Sequence, residues 1–577
     1  MRNSEVAKIL ENIADLLEIK GESSFKVRAY RKAARSVGGL PQDLQQLMNE
    51  GKLKTINGVG DAIAKKLTEL LTTGRLEFYE KLLAKFPEGV NTLLEVPGVG
   101  PKTAVRLAEE LGIRSPQELV LAIEEGRVSE LHGLGPKTVE RMLLQVRCMC
   151  NKEQHNSFAT ALMFAEGIAT KLRMCPSLSH LFFSGNLRRC VETVDSIDLI
   201  AVAKLADEVI GALVNLPQVR GIVFKGDTKA SVIADQDIQV NLDVVDHRLL
   251  GSYLLFCTGS EKHLIALMET GYRKGYKVEE SGVSVLETGE LECFSTEEGV
   301  YQRLGMQFVP PEIREGGIEI GKAERHILPK LVDLTDIRGD LHVHTQWSDG
   351  ACSIEEICMA ARDIGYEYLA ITDHSVGRGI AHGLDQEGLR NQISEITRLN
   401  EKWQDFRVFS GVEVDIRADG SLDLPNDILA ELDIVVAAVH SGLGQDEQKM
   451  TSRIIRALEN PVVDILAHPS CRLLSSRMPI ALNWDSIFNT AIRTGTMMEI
   501  NSMPDRLDLC DHLVYKAREL GVKVAINTDA HALDHLRYMR FGVGVARRGW
   551  CEGDAVLNSR TAENVYMLLR DRRRKSS

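Results

Sequence analysis

The amino-acid sequence predicts a multidomain chain in which small helical domains precede an α+β region and a C-terminal parallel (β/α) barrel. Its 577 residues suffice for roughly three to four domains. A Gly-x-Gly turn recurs three times between helical stretches in the first quarter of the chain. From residue 337 onward, β-branched apolar runs alternate with helical segments, and several runs end beside histidine or carboxylate side chains. This alternation is typical of parallel barrel strands.

The three Gly-x-Gly turns are the first informative feature. They occur at Gly58 and Gly60, at Gly98 and Gly100 followed by Lys102, and at Gly133 and Gly135 followed by Lys137. Each turn opens a helical segment, where free N–H groups and the helix dipole attract a phosphate. This is the helix-hairpin-helix signature, which binds the DNA backbone without reading bases. A lone Gly-x-Gly is more often a helix C-cap, but three with the same flanks indicate DNA binding, by two of the hairpins rather than all three.

Histidine and carboxylate side chains recur in short motifs of the C-terminal region. Several of these motifs end or follow apolar runs at 368–371, 434–439, 462–467 and 522–526. Because the C-terminal ends of parallel barrel strands meet at one mouth, we expect the side chains to converge there. Imidazole and carboxylate ligands without a thiolate suit zinc, manganese or iron. The sequence therefore predicts a metal site rather than scattered strand-end histidines.

The motifs resemble the complete ligand set of the PHP (polymerase and histidinol phosphatase) family. The matching residues are His342, His344, Asp349, His374, Glu413, His440, His468, Asp529 and His531. The resemblance implies a distorted (β/α) barrel of about seven strands over residues 337–577, holding up to three ions, Mn²⁺ and/or Zn²⁺. By position, a first ion would lie on His342, His344, Glu413 and Asp529, a second on Glu413, His440 and His468, and a third on Asp349, His374 and His531. A carboxylate that bridges two cations lets them clamp both the attacking and the leaving oxygen of a phosphodiester.

Three arginines in loops after these motifs are candidates for binding substrate phosphates: Arg472, Arg477 and Arg506. The planar guanidinium group binds phosphate oxygens in pairs. Each of the three could equally be a partner in a surface salt bridge.

Residues 5–315 resemble a bacterial or archaeal family X DNA polymerase, the group that includes polymerase beta, in which a C-terminal PHP domain is usual. The matching segments include Phe25 to Tyr30, Phe256 to Ser260 with His263, and Val309 to Glu315. The resemblance implies a helical lyase-like domain at 1–80, helical fingers at 81–150, an α+β palm of the nucleotidyltransferase type at 151–245, a thumb at 246–315 and a linker at 316–336. It also implies cis-like backbone geometry near Gly259 and Ser260.

The predicted palm departs from the family at its catalytic carboxylates. Only Asp198 of the family's Asp-x-Asp pair is in register, since Ser196 takes the first position, and Asn241 replaces the third carboxylate. Residues three apart on a strand face opposite ways, so Asp195 should point away from Asp198. Asp243 is in strand register with Asn241, but it lies where the family has an arginine.

Further departures concern the nucleotide pocket. Asn186 stands where the family has a serine that contacts the incoming triphosphate, beside the retained Arg188 and Arg189. A pair of Mg²⁺ ions in such a palm needs three carboxylates to balance its charge. With one carboxylate left, we expect the Mg²⁺ pair not to assemble and nucleotidyl transfer to be lost. The alternative is that Asp195 or Asp243 completes the site through an altered strand.

Lys66 follows the first hairpin and falls where lyase members of the family place their Schiff-base lysine. A lysine that attacks a sugar aldehyde must be partly deprotonated, through burial or a neighbouring positive charge. Lys65 could supply that charge. A phosphate-binding or solvated lysine is the simpler reading.

Charge and composition indicate which partners and which cellular location to expect. The net charge of −13 is unusual for a DNA-binding protein, although bound metal ions would offset some carboxylates and basic residues cluster in the first helices and at the C-terminus. The 11 cysteines contain no Cys-x-x-Cys pair, and no run of 18 apolar residues occurs. We therefore expect free thiols, no transmembrane helix and a cytoplasmic location, and the family suggests a monomer.

Three functions are compatible with these features. In the first, a DNA-repair protein cleaves with its barrel, as a 3′→5′ exonuclease, an abasic-site endonuclease or a 3′-phosphodiesterase, while the polymerase body binds gapped, nicked or abasic DNA. In the second, the chain is an active gap-filling polymerase with a proofreading nuclease. The third, a small-molecule phosphatase of the histidinol phosphate type, is disfavoured by the DNA-binding hairpins.

Overall fold

The computed structural model describes residues 3–576 except 39–43, 50, 84, 95, 97–98, 132–138, 140–141, 144–145, 147–155, 378–382 and 475. The chain forms two compact units, Met1–Glu153 with Ser476–Met478, and Gln154–Ser475 with Pro479–Ser577. In the described part, no helix is long and apolar enough to cross a membrane.

The first unit is helical, as expected. Its helices are Asn3–Ile19, Ser24–Gly38, Leu44–Asn49, Asp61–Thr73, Glu77–Leu83, Val90–Leu93, Pro101–Leu111 and Pro116–Glu124, with 3₁₀ turns at Leu53–Thr55 and Arg127–Glu130. Apolar side chains on the inner faces of these helices form two separate cores, one between Val6 and Leu82 and the other between Val90 and Val146. Each core therefore belongs to its own small helical body, and the two bodies follow one another along the chain.

The second unit begins with an α+β region. A short pair, β1 (Asn156–Ser157) and β3 (Thr193–Val194), precedes a five-stranded sheet of β2 (Leu178–Phe183), β4 (Ser196–Ala203), β5 (Val219–Lys225), β6 (Lys229–Ala234) and β7 (Gln239–Val244). The strand order is β2-β4-β7-β6-β5, and β4 and β7 run parallel at its centre. The helices Phe158–Leu172 and Ala206–Val214 pack on this sheet, and Gly185–Arg188 forms one helical turn after β2.

The thumb region is a mixed segment with its own core. It contains the helices Leu250–Thr258, Glu261–Arg273, Glu297–Arg303 and Ile318–Glu324 and a small antiparallel sheet of β8 (Tyr276–Glu279), β9 (Gly282–Val285) and β10 (Leu291–Glu292). The peptide bond between Gly259 and Ser260 is cis. Residues 316–336, expected to be a linker, include the last of these helices, and its buried Glu319 lies 2.9 Å from Nδ1 of the buried His263. That hydrogen bond attaches the first part of the expected linker to the thumb core.

The C-terminal region is a parallel barrel of seven strands, which confirms the predicted fold. They are β11 (Gly339–Val343), β12 (Tyr368–Ile371), β13 (Arg407–Asp415), β14 (Ile434–Ala438), β15 (Ile465–Leu466), β16 (Met497–Asn501) and β17 (Val524–Asn527), in sequential order. A bridge between Val343 and Ala530 brings the last strand beside the first. The strands are buried almost throughout because helices cover the outer face and side chains fill the interior.

Helices follow or flank the barrel strands: Ile354–Ile364, Gln386–Lys402, Asn426–Glu431, Glu447–Leu458, Trp484–Thr494, Asp511–Leu520, Met539–Arg548 and Ala562–Ser576. Ser353 and Glu356 form a capping box at the first of them, and Gly365 ends it in the left-handed conformation that favours glycine. The basic C-terminal tail belongs to the last helix, where Arg572 and Arg573 form ion pairs with the buried Asp464.

The barrel packs directly on the palm and thumb within the second unit. The helix Met539–Arg548 carries the main contacts: Arg547 Nε lies 2.7 Å from Glu312 Oε1, and Arg548 Nη1 donates to the backbone oxygen of Arg189 at 3.0 Å. Arg540 and Glu166 form a further ion pair at 2.6 Å. The palm, thumb and barrel are therefore neighbours joined by charged side chains.

Candidate functional site

The nine side chains predicted to bind metal all lie at the C-terminal ends of barrel strands. His342 and Glu413 are within β11 and β13, and the other seven occupy the segments that follow strands: His344, Asp349, His374, His440, His468, Asp529 and His531. Most of them are buried, whereas Asp349 and His531 keep side-chain exposures of 30% and 28%. The centre is therefore closed toward the barrel interior and open on one side.

Glu413 occupies the middle of the set. Its Oε1 lies 2.9 Å from His468 Nε2 and 3.2 Å from His440 Nε2. Its Oε2 lies 2.7 Å from His374 Nδ1 and 3.6 Å from Nε2 of both His342 and His344. One carboxylate thus faces histidines on both sides, which is the arrangement a bridging ligand requires.

Three overlapping groups of side chains could each hold a cation. They are His342, His344 and Asp529; His374, Glu413 and His440; and His344, Asp349, His374 and His531. The groups overlap the three sets expected from the family, with His344 and His374 shared between groups. The sharing reflects short spacings, such as 3.0 Å between His344 Nε2 and Asp529 Oδ1.

Bound cations would satisfy the nitrogen and oxygen atoms of the centre better than hydrogen bonds among these atoms do. Within the described residues, Glu413 Oε2, His344 Nδ1 and His468 Nδ1 are buried without a hydrogen bond. The Nε2 atoms of His342 and His344 lie 3.1 Å apart, a distance that either a shared proton or a cation between the two rings accounts for. Buried polar atoms without partners are costly. Cations bound by nitrogen and oxygen donors would remove this cost.

The protonation states of His344 and His468 agree with metal binding. Burial, and then the positive charges of His531 and His374, lower the pKa of His344 to about 3. Burial, and then the charge of Arg506, lower the pKa of His468 to about 4. Both rings are therefore neutral, as metal ligation requires. Burial alone would lower the pKa of His374, but Glu413 and Asp349 raise it to about 9, so an ion bound there must displace a proton.

Glu499, in β16, connects two ligands from outside the centre. Its Oε1 lies 2.7 Å from His342 Nδ1, and its Oε2 accepts from the backbone N–H of His468 at 2.7 Å. The amides of Asn501 and Asn527 also donate to it. We did not single out Glu499 from the sequence, although a carboxylate in a buried strand that carries no other charge is the signal that could have found it.

Replacing Glu499 with glutamine should weaken metal binding without unfolding the barrel. The substitution keeps the shape but removes the charge that orients His342, and losing such an outer partner typically costs about 10- to 100-fold in metal affinity. Titration of metal-free protein with Mn²⁺ in a calorimeter measures the effect. The exposed Glu519→Gln is the matched control, and equal affinities in the two variants would contradict the role of Glu499.

The three candidate arginines differ in their surroundings. Arg506 is 15% exposed, and its Nε lies 3.6 Å from Asp529 Oδ2, at the edge of the centre. Arg472 is buried, and its guanidinium binds the backbone oxygens of Arg506 and Leu507 and the carboxylate of Glu192. These partners engage all three of its nitrogens, so the Arg472 guanidinium is held within the protein. Arg477 is half-buried, in the segment Ser476–Met478 of the first unit.

In the palm, neutral residues surround the single in-register carboxylate. Asn241 Nδ2 donates to Asp198 Oδ1 at 2.7 Å, and Ser196 Oγ lies 3.1 Å from both oxygens of Asp198. Asn241 in turn accepts hydrogen bonds from Ser231 and Gln239. Asp198 is therefore engaged by hydrogen-bond donors at the position where the family holds two ions.

Asp243 and Asp195, the two other acidic candidates in the palm, have different surroundings. Asp243 accepts a hydrogen bond from Tyr253 Oη at 2.7 Å and faces Lys229. Asp195 lies before β4 begins, so strand alternation does not govern its direction, and it lines the same cavity of about 300 Å³ as Ser196 and Asp198. Asp195 thus remains a candidate for completing the palm site. Among the described residues, the groups of three or more metal-ligating side chains all lie in the barrel.

Two neighbouring arginines bind residues at or beside this cavity. Arg189 Nη2 donates to Asn186 Oδ1, and its Nη1 donates to the backbone oxygen of Thr258 at 3.2 Å. Arg188 donates to Thr258 Oγ1 at 2.7 Å and forms an ion pair with the buried Glu297 of the thumb. Both retained arginines are therefore engaged within the protein.

In the first unit, two of the predicted hairpins open helices as expected. Gly60 is the N-cap of Asp61–Thr73, and Gly100 is the N-cap of Pro101–Leu111. Gly58 has a φ of +86°, and a Cβ there would lie 2.8 Å from the Lys32 side chain, so glycine is required. Lys102 is exposed beside the second hairpin. Gly98, Gly133, Gly135 and Lys137 lie outside the described residues.

Lys66 lies in an aromatic environment. Its Nζ is 4.5 Å from the ring centroid of Phe78 and 6.0 Å from that of Tyr30. Partial burial, and then the charge of Lys26, lower its pKa below the usual value for lysine. The neighbouring charge therefore comes from Lys26, whereas the sequence suggested Lys65 as its source.

Comparison with known proteins gives matches along most of the chain. A helix-hairpin-helix domain matches residues 1–76, a SAM-like helix-hairpin-helix tandem 90–147, the DNA polymerase beta thumb 253–315 and the PHP domain 340–501. The DNA polymerase/3'-5' exonuclease PolX of Bacillus subtilis (strain 168) is 37% identical over 572 residues, which cover 99% of this chain and 100% of that protein. A probable phosphatase of Thermoanaerobacter sp. (strain X514) is 31% identical over 248 residues, which cover 41% of this chain and 96% of that protein.

Proposed function

The chain belongs to the family X DNA polymerases that carry a C-terminal PHP domain, and on that premise we propose that its barrel is a metal-dependent 3′→5′ exonuclease acting in DNA repair. The intact set of nine ligands around Glu413 carries this proposal. The relative from Bacillus subtilis, which is named a 3'-5' exonuclease, supports it. Degradation of a 3′-labelled oligonucleotide by the wild-type chain, and by a variant without His342 and His344, tests it.

The chain's own residues divide the work at this centre. Nine side chains would hold the ions, Mn²⁺ and/or Zn²⁺: His342, His344, Asp349, His374, Glu413, His440, His468, Asp529 and His531. When bound, such ions supply Lewis-acid activation of water and of the phosphodiester. Arg506, beside Asp529, donates to the phosphate of the 3′-terminal nucleotide. Asp349 and His531 form the open side of the centre, where the DNA end enters.

The same centre would accept other phosphodiesters at DNA ends and breaks. An abasic-site endonuclease and a 3′-phosphodiesterase need the same metal-activated water and the same phosphate contact, and they differ only in the group that leaves. The hairpins at Gly58 and Gly100 hold gapped, nicked or abasic duplex through its backbone, with an affinity that falls steeply as salt increases. A monomer in the cytoplasm suffices for this function.

The probable phosphatases favour a second candidate, a small-molecule phosphatase, because two of them match only 41% and 33% of this chain. A metabolite enzyme has no use for hairpins that bind a DNA backbone, and the chain carries two helix-hairpin-helix matches. Release of phosphate from histidinol phosphate at a rate above that of oligonucleotide cleavage would favour the phosphatase.

We also expect Lys66 to act as a 5′-deoxyribose-phosphate lyase, because its lowered pKa leaves more of the free amine at neutral pH. Borohydride should trap a covalent adduct between the protein and DNA that carries a 5′-deoxyribose phosphate. Lys66→Ala should abolish the adduct, while Lys65→Ala, its neighbour in the same helix, should retain it. An absence of adduct with the wild-type chain would show that Lys66 only binds phosphate.

A further inference from the structure

One arginine of the barrel contacts both the palm and the loop beside the metal centre. Arg472 Nη1 lies 2.6 Å from Glu192 Oε2, and its Nε donates to the backbone oxygen of Arg506 at 2.9 Å. Its third nitrogen donates to the backbone oxygen of Leu507. The Arg472 side chain is 9% exposed, so its contacts with the loop are largely shielded from water.

The loop that Arg472 holds needs such support. Leu507 has a φ of 43°, a conformation that residues other than glycine rarely adopt. The N–H groups of Arg506 and Leu507 both donate to the backbone oxygen of Met503, which closes a tight turn. The direction of the Arg506 side chain, 3.6 Å from Asp529 Oδ2, follows from this backbone.

The palm end of the contact is equally fixed. The backbone oxygen of Glu192 accepts from the N–H of Phe158, the first residue of a palm helix. Glu192 also immediately precedes β3, whose two residues pair with β1. Its carboxylate is therefore presented to Arg472 from an anchored segment, three residues before the cavity-lining Asp195.

We propose that Glu192 of the palm, acting through Arg472, positions Arg506 beside the metal centre, so that the palm contributes a positioning residue to the nuclease site. This inference rests on the proposed nuclease function. Removing Glu192 takes away the ion-pair partner of a largely buried guanidinium, which then relaxes toward other acceptors, among them the nearby buried Asp508. The loop then loses the fixed backbone from which Arg506 extends.

A second palm–barrel ion pair provides the matched control. Glu166 of the palm and Arg540 of the barrel also lie 2.6 Å apart, and Glu166 is 40% exposed, against 37% for Glu192. Arg540 is on the helix Met539–Arg548, where it pairs with Glu166 and its guanidinium lies 4.8 Å from the ring centroid of Phe541. Glu166→Ala therefore removes a comparable domain contact without touching Arg472.

Two measurements on the full chain distinguish positioning of Arg506 by Glu192 from a general contribution of Glu192 to the contact between palm and barrel. The first is kcat and KM for degradation of a 3′-labelled oligonucleotide with Mn²⁺. Glu192→Ala should lower kcat about 10- to 100-fold, the loss expected for a shift of about 1 Å in a catalytic contact, and leave KM for DNA unchanged. Glu192→Gln, which keeps an oxygen acceptor, should recover part of the loss, and Glu166→Ala should resemble wild type. In an Arg506→Ala background, Glu192→Ala should cause no further loss.

The second measurement is backbone amide hydrogen exchange at residues 503–508, which needs neither metal nor activity. Exchange should accelerate in Glu192→Ala and not in Glu166→Ala. Equal exchange and equal kcat in the two variants would overturn the inference, as would an undiminished effect of Glu192→Ala on top of Arg506→Ala. If wild type degrades no DNA, the proposed function fails, and the exchange comparison alone then decides whether the palm positions the loop.

Discussion

Replacing His342 and His344 together with alanine should abolish 3′→5′ degradation while leaving DNA affinity near the wild-type value. The two imidazoles lie 3.1 Å apart and face both Glu413 and Asp529, so their loss removes one side of the cation site. Loss of such a contact costs at least about 4 kcal/mol of barrier, or roughly 10³-fold in rate. The measurement is degradation of a 3′-labelled strand, with DNA binding followed in parallel by fluorescence anisotropy.

The stability of the double variant requires its own control, because the substitutions leave the buried Glu499 without His342 and remove two of the five histidines around the buried Glu413. Asp349→Asn with His531→Asn changes the more exposed edge of the same centre and leaves the interior intact. Both double variants should be inactive, and the second should melt near the wild-type temperature. Nuclease activity that persists in both double variants, after a contaminating nuclease is excluded, would contradict the assignment of this activity to the barrel.

The wild-type chain should bind gapped DNA yet incorporate essentially no dNTP. In the palm, Asn241 and Ser196 hydrogen-bond Asp198 where two further carboxylates would be needed to balance a pair of Mg²⁺ ions. Arg188 and Arg189 are also engaged by Glu297, Thr258 and Asn186. The expected loss relative to an intact palm is again at least about 4 kcal/mol of barrier. Extension of a labelled primer across a one-nucleotide gap measures it.

Restoring the palm provides the converse test. Ser196→Asp and Asn241→Asp together with Asn186→Ser return both missing carboxylates and the triphosphate contact, and should give detectable incorporation in Mn²⁺. Ser196→Asn with Asn241→Asp is the control that supplies only one carboxylate. Robust extension by the unmodified chain would mean that Asp195, which shares the cavity with Asp198, completes the site.

The barrel and its ligands were predictable because each ligand motif ends or follows an apolar run, and strand ends of a parallel barrel meet at one mouth. Spacing along the chain could not reveal the contacts between loops. Glu499 supports His342 and His468 from a buried strand in which it is the only charged residue. Arg472 looked like a phosphate ligand because it follows His468, but its partners come from a distant loop and from the palm.

Two expectations depended on local sequence pattern alone. The direction of Asp195 was inferred from strand alternation, yet the strand begins one residue later, at Ser196, and element boundaries are the least certain part of a sequence-based prediction. The expected linker after residue 315 contains a helix because Glu319 finds a buried partner in His263, more than 50 positions away in sequence. A strand boundary thus limits the first expectation, and a tertiary contact accounts for the second.

One reaction tests the central claim, that this chain is a nuclease with a degenerate palm. A gapped duplex with a labelled primer is incubated with Mn²⁺ and all four dNTPs, and both shortening and extension of the primer are followed. We predict shortening by the wild-type chain and by Asp198→Ala, and neither shortening nor extension by the variant without His342 and His344. Extension by the wild-type chain that Asp198→Ala removes, with shortening unaffected by loss of the two histidines, would contradict the account.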